Sequence, residues 1–172
     1  MSADKLRALI RDVPDFPQPG IMFKDLTPLL ANSWSLGTTA DLLAEPWRTA
    51  GVTLVVGIEA RGFLLAPLVA ERLGVGMVPL RKPGKLPWRT KSESYELEYG
   101  TDTLEIHEDA VGSADRVLLI DDVLATGGTA GAGVRLLRRC GAEVVGCAFV
   151  IELAFLGGRA TLHAPTTSVL VY

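Results

Sequence analysis

Short apolar runs alternating with segments of helical character constrain this chain more than any other feature. Thr53 to Gly57 (TLVVG), Gly76 to Leu80 (GMVPL), Arg116 to Asp121 (RVLLID) and Ala142 to Ile151 are such runs, and Ser168 to Val171 is a candidate for a last one. A strand that is apolar on both alternating positions is suited to burial on both faces, as in a parallel sheet. The alternation therefore predicts an α/β fold, a mostly parallel twisted sheet flanked by helices. Ligands of such sheets sit at the carboxyl ends of the strands, so chemistry is sought there.

The segments between the runs support helices. Leu6, Leu9, Ile10 and Val13 recur at i, i+3, i+4 and i+7, which predicts an amphipathic helix over 3–13. Pro14 to Gly20 holds three prolines and a glycine and predicts an extended, turning path. Asn32-Ser33 offers an N-cap for a helix running towards Ala50 and disturbed at Pro46. Phe63 to Leu73 is apolar nearly all round and predicts a buried helix ended by Gly74, and Thr129 to Cys140 predicts another, closed by Gly141.

The chain of 172 residues, 48% of them apolar, is of a size for one domain over 1–172. A formal net charge of -3 provides no global basic field for nucleic acid, so any anion chemistry must be local. The first residues lack a secretory signal pattern, and every apolar run is shorter than the roughly 18 residues of a membrane span. These features predict a cytoplasmic protein without a membrane or nucleic-acid partner. Cys140 and Cys147 match neither redox nor zinc spacing and read as small packed side chains, while His107 and His163 stand alone and read as incidental.

Chemistry concentrates between Val117 and Thr129. An apolar strand runs into Asp121 and Asp122, then into a loop with Ala125, Thr126, Gly127, Gly128 and Thr129, then into a helix. Glycines let backbone N–H groups turn inward, threonine hydroxyls add donors, and a helix N-terminus favours negative charge, which together make a phosphate cradle. Carboxylates beside a phosphate would repel it, so neutral donors such as vicinal ribose hydroxyls are their natural partners. Direct Mg²⁺ ligation by the two acids is the alternative. A nucleotide P-loop would need GxxxxGK[ST] and a dinucleotide site GxGxxG, and neither is present.

Two further groupings join it. Glu59-Ala60-Arg61-Gly62 follows the strand TLVVG, where a guanidinium and backbone N–H groups can surround a pyrophosphate, although Arg61 alone would read as a surface charge. Arg81, Lys82, Lys85, Arg89 and Lys91 lie in a long connection containing Pro83-Gly84 and Pro87, followed by Tyr95 to Gly100. Its length and charge suggest an active-site lid, a solvated basic loop being the blander reading.

The Val117 to Thr129 segment resembles the phosphoribosyl pyrophosphate (PRPP) signature of the type I phosphoribosyltransferases. With GIEARGF, RKPGKLP, YELEYG and PGIMFKD, the likeness extends from about Phe16 to Glu152 and is to the adenine-specific branch. Trp88 and Arg89 depart from it, and the end of the chain is not matched closely. The resemblance implies the type I fold with a flexible lid loop and a small N-terminal hood. It implies transfer of phosphoribose from PRPP to adenine, giving AMP and pyrophosphate in purine salvage. Asp121, Asp122 and the 125–129 loop would hold the sugar phosphate. Glu59, Ala60, Arg61, Arg81, Lys82 and Lys85 would hold pyrophosphate, and Met22 and Lys24 the adenine. Glu98 would manage the purine proton, with Glu96 and Glu105 as rivals. Mg²⁺ would bind mainly through PRPP and pyrophosphate, and the chain would form a homodimer in which Arg81 reaches the partner's site. A 6-oxopurine phosphoribosyltransferase and a PRPP-binding regulator without turnover remain the alternatives.

Overall fold

The computed structural model describes residues 2–96 and 100–172. Its centre is a five-stranded parallel sheet built from β3 (Leu54–Ile58), β4 (Gly76–Leu80), β7 (Arg116–Leu124), β8 (Glu143–Glu152) and β9 (Thr166–Val171), in the order β4-β3-β7-β8-β9. The α/β expectation is met, and each apolar run of the sequence is one of these strands.

Alternating side chains of the central strands feed two separate cores. Val117 and Leu119 of β7 face one side, with Val134, Leu136 and Leu137 of α5 (Gly128–Arg139). Leu118 and Ile120 face the other, with Leu6 of α1 (Ser2–Arg7), Leu29 of α2 (Thr27–Leu30), Leu43 of α3 (Ser33–Ala44) and Val69 of α4 (Ala66–Leu73). Every side chain in this list is 1% exposed or less, so β7 is covered on both faces as its composition requires.

Helix ends follow the sequence. The Asn32 side chain accepts a hydrogen bond from the Ser35 N–H and starts α3, which stops at Ala44 where Pro46 enters a tight turn. Gly74 closes α4 in the left-handed region, and Gly141 has φ 97° beyond α5.

Two expectations need correction. The helix predicted over 3–13 ends at Arg7, and Arg11–Pro14 is instead a strand, β1, paired antiparallel with β2 (Met22–Asp25). Val13 precedes a proline, which disfavours helix, and the ladder to Phe23 satisfies its backbone instead. The other is Phe63 to Leu73, which is not buried all round: α4 begins only at Ala66, and Leu64 in the preceding turn is 53% exposed.

Two small antiparallel hairpins complete the fold. The β1–β2 pair is the N-terminal hood. The basic connection is partly strand: β5 (Thr90–Glu96) pairs with β6 (Thr101–His107), and the hairpin lies on α5 through Glu93, whose carboxylate accepts from Arg135 and Arg139.

Candidate active site

Strand ends build the floor of the site. Asp121 and Asp122 lie near the carboxyl end of β7, and Gly127 opens α5 with φ 84°, a conformation that favours glycine. The first N–H groups of α5 have no acceptor within the helix and point toward the same space. Opposite them the chain leaves β3 through Glu59 and Ala60, whose peptide bond is cis, and turns at Arg61. Gly62 allows this turn to touch β7: an added Cβ would lie 2.8 Å from the Ile120 carbonyl oxygen and 3.1 Å from Asp121 Oδ1.

A cavity of about 370 Å³ lies between these ends and the hood. Its lining includes Asp121, Asp122 and every residue of the 125–129 loop, with Glu59, Ala60, Arg61 and Lys82. Met22 and Lys24 of β2 face it from the hood side. That volume falls in the range of sites that enclose a small-molecule ligand.

Arg81 and Lys85 are not in the lining. The Arg81 guanidinium turns to Glu59, with Nε 3.1 Å from Oε2, and NH1 reaches the Lys85 carbonyl at 3.2 Å. Glu98 lies outside the described residues. Its rivals are described: Glu96 ends β5, and the Glu105 carboxylate accepts from the Gly84 N–H at 3.2 Å.

Charges in the site are balanced in pairs. Asp122, 4% exposed, accepts a hydrogen bond from Arg61 Nε, and the Arg61 guanidinium lies 5.8 Å from the Phe23 ring centre. Asp121 accepts the Asp122 N–H at 2.9 Å. Burial, followed by the negative charge of Asp122, pushes the Asp121 carboxyl well above its ordinary value. Burial also works against the charge of Glu59, but the Lys82 N–H and Arg81 outweigh it and hold that carboxyl low. Lys24 donates to Asp12 at 2.6 Å and stands 4.3 Å from the Tyr172 ring centre, which fixes it across the hood.

Parts of the site fall outside every motif of the sequence. Leu153, just past β8, lines the cavity and is the contribution of the late chain. Gly158 and Thr161 belong to a tight helical turn packed behind the 125–129 loop. A Cβ on Gly158 would lie 2.1 Å from the Ala125 carbonyl oxygen, and Thr161 Oγ1 is 2.8 Å from the Gly158 carbonyl oxygen that it donates to. Arg159 ties this turn to the sheet through the buried carboxylate of Glu152, which also accepts from Ser168. The pair Gly157-Gly158 was the one signal available, and it resembles any turn.

Among the described residues, no group of three or more His, Cys, Asp or Glu side chains could hold a metal ion, and no helix is long and apolar enough to cross a membrane. Cys140 and Cys147 are free thiols, and burial lifts Cys147 to about 12, so it is a packed side chain.

Residues 31–163 match the model of the phosphoribosyl transferase domain family. An adenine phosphoribosyltransferase of a Parafrankia species is 61% identical over 154 residues, 90% of this chain and 84% of that protein. The chain belongs to the adenine phosphoribosyltransferase family. Its members are pentosyltransferases, a class of glycosyltransferase. The crystal structure of the adenine phosphoribosyltransferase from Rhodothermus marinus has 54% identity and a TM-score of 0.94, covering 99% of this chain and 98% of that one. The Saccharomyces cerevisiae enzyme, crystallised with an imino-altritol bisphosphate and adenine, has 39% identity and a TM-score of 0.92, covering 98% of each chain. The α/β fold is thus that of adenine phosphoribosyltransferases of known structure.

Proposed function

We propose that the chain transfers the 5-phosphoribosyl group of PRPP to N9 of adenine, giving AMP and pyrophosphate in purine salvage. The observation that carries this reading is one cavity lined at once by the Asp121–Asp122 pair, the whole 125–129 loop, Arg61 and the hood residues Met22 and Lys24. Phosphate, diol, pyrophosphate and base each find a matching group there.

The 125–129 loop and the N-terminus of α5 bind the 5′-phosphate, and Asp121 and Asp122 accept from the 2′ and 3′ hydroxyls. Arg61 must then share Asp122 with the ribose or turn to the pyrophosphate. The bond from C1 to the pyrophosphate oxygen breaks and the bond from C1 to N9 forms, through a state with oxocarbenium character. Arg61, Lys82 and the backbone at Glu59 and Ala60 stabilise charge gathering on the leaving group, assisted by Lys85 when the connection closes. Closure also excludes water, the competing nucleophile. Met22, partly through its backbone, and Lys24 contact the adenine, and Glu98 takes up the purine proton. Mg²⁺, bound mainly through PRPP and pyrophosphate, would supply further charge neutralisation. The reading extends to a cytoplasmic homodimer in which Arg81 reaches the partner's site.

The test is AMP formation from adenine, PRPP and Mg²⁺, run beside hypoxanthine, guanine, uracil and orotate. Adenine is expected to react at least tenfold faster than any other base, by kcat/KM. Product from hypoxanthine but not adenine would assign a 6-oxopurine enzyme. PRPP binding without turnover of any base would assign a regulator.

A further inference from the structure

We infer that Tyr95 is a positioning residue for PRPP, its hydroxyl setting the attitude of both Lys82 and Thr129 without itself touching substrate. The inference rests on the reading of the cavity given above and adds a residue to it. Tyr95 lies on β5, 6% exposed, with its ring in the core that packs on α5. Its hydroxyl donates to Asp102 Oδ2 at 3.0 Å, accepts from Lys82 Nζ at 3.0 Å and accepts from Thr129 Oγ1 at 3.2 Å. A phenol has one hydrogen to give and two lone pairs to receive, so all three positions are filled.

The partners arrive from separate elements. Asp102 is on β6, Lys82 follows β4 and Thr129 is in the first turn of α5. Lys82 and Thr129 line the cavity, whereas Tyr95 does not. Two of the three N–H groups of Lys82 turn to Tyr95 and Asp102, which fixes the direction of the third. Thr129 can still serve a phosphate: its hydroxyl can turn its hydrogen to the ligand while accepting from Tyr95, Asp102 then keeping the Lys82 ammonium. The oxygen positions stay the same in both states. Simple satisfaction of a buried hydroxyl would require one of these bonds; the three together join the hairpin, the basic connection and the phosphate loop at one atom.

Tyr95→Phe keeps the ring and removes that atom. AMP formation with PRPP varied at saturating adenine, and the reverse, should show the KM for PRPP raised roughly tenfold, the KM for adenine within twofold and the melting temperature within a few degrees. Thr129→Val should raise the KM for PRPP as well, and the double variant should be worse than the worse single variant by less than the product of their effects. Unchanged kinetics for Tyr95→Phe would overturn the inference, and so would equal rises in both KM values, which would report a general disturbance. Calorimetric titration with PRPP alone reads the same effect independently of the base. Loss of PRPP affinity in the variant would therefore support the inference even if the wild-type protein failed to use adenine.

Discussion

Asp121 and Asp122 stand side by side on a buried strand, and the free protein bears a cost for that arrangement. Burial and the neighbouring charge raise the Asp121 carboxyl, so the native state holds this proton more tightly than the unfolded chain does. Stability from this group is therefore full below the ordinary carboxyl value of 3.8 and declines as pH rises through the raised one. Asp121→Asn removes the charge with little change of shape. It should raise the melting temperature at pH 7.5 by roughly 2–5 °C, and more than it does at pH 4.5. The same change should weaken PRPP binding about tenfold, since a charged acceptor for the ribose is lost. Thermal unfolding at both pH values and calorimetry check the two halves, and an unchanged melting temperature would mean that the acid carries no penalty. The acids and the loop after them were legible because they are contiguous in sequence. The pairing of Asp122 with Arg61 was not, since 61 positions separate the partners and only the turn at Gly62 brings them together.

Elements that read correctly from sequence are those whose neighbours are fixed by their own composition. A doubly apolar run suits a strand of a sheet covered by helices, and β3, β4, β7 and β8 lie where the runs predict, β4 at the edge. Residues 11–14 carry a helical period yet form β1, because their partner Met22–Asp25 lies beyond a Pro-rich turn that periodicity does not see. The turn holding Gly158 was equally hidden, its role being set by contact with a loop some 30 residues earlier. That contact leaves no room for a side chain, as a Cβ would lie 2.8 Å from the Gly127 nitrogen as well as against the Ala125 carbonyl. Gly158→Ala should therefore displace the phosphate loop. PRPP affinity is expected to fall at least about tenfold, while circular dichroism shows the sheet retained, because such strain costs about 1–3 kcal/mol against a domain's total of 5–15. Wild-type affinity in the variant would mean that the turn at Gly158 yields instead of the loop, and that its support of the site is incidental.

At the scale of the whole molecule, the apolar character of Phe63 to Leu73 exceeds what a single copy covers. Leu64 is 53% exposed and Phe63 half-buried, with the Arg81 guanidinium 5.8 Å from the Phe63 ring centre. The proposed homodimer accounts for this surplus if the turn at Phe63–Leu64 lies in the interface. It would then also explain why Arg81 stands away from its own cavity, at the face that a partner would approach. Leu64→Glu places a charge on that face without touching either core, so the fold should survive while association weakens. Sedimentation should find the wild type at twice the mass of the 18.4 kDa chain and the variant at the mass of one chain at micromolar concentration. If Arg81 serves the partner's site, kcat/KM for PRPP should fall in step with dissociation and recover as protein concentration is raised. A variant that remains dimeric with full activity would place the interface elsewhere, and a monomeric variant with full activity would remove Arg81 from the partner's chemistry.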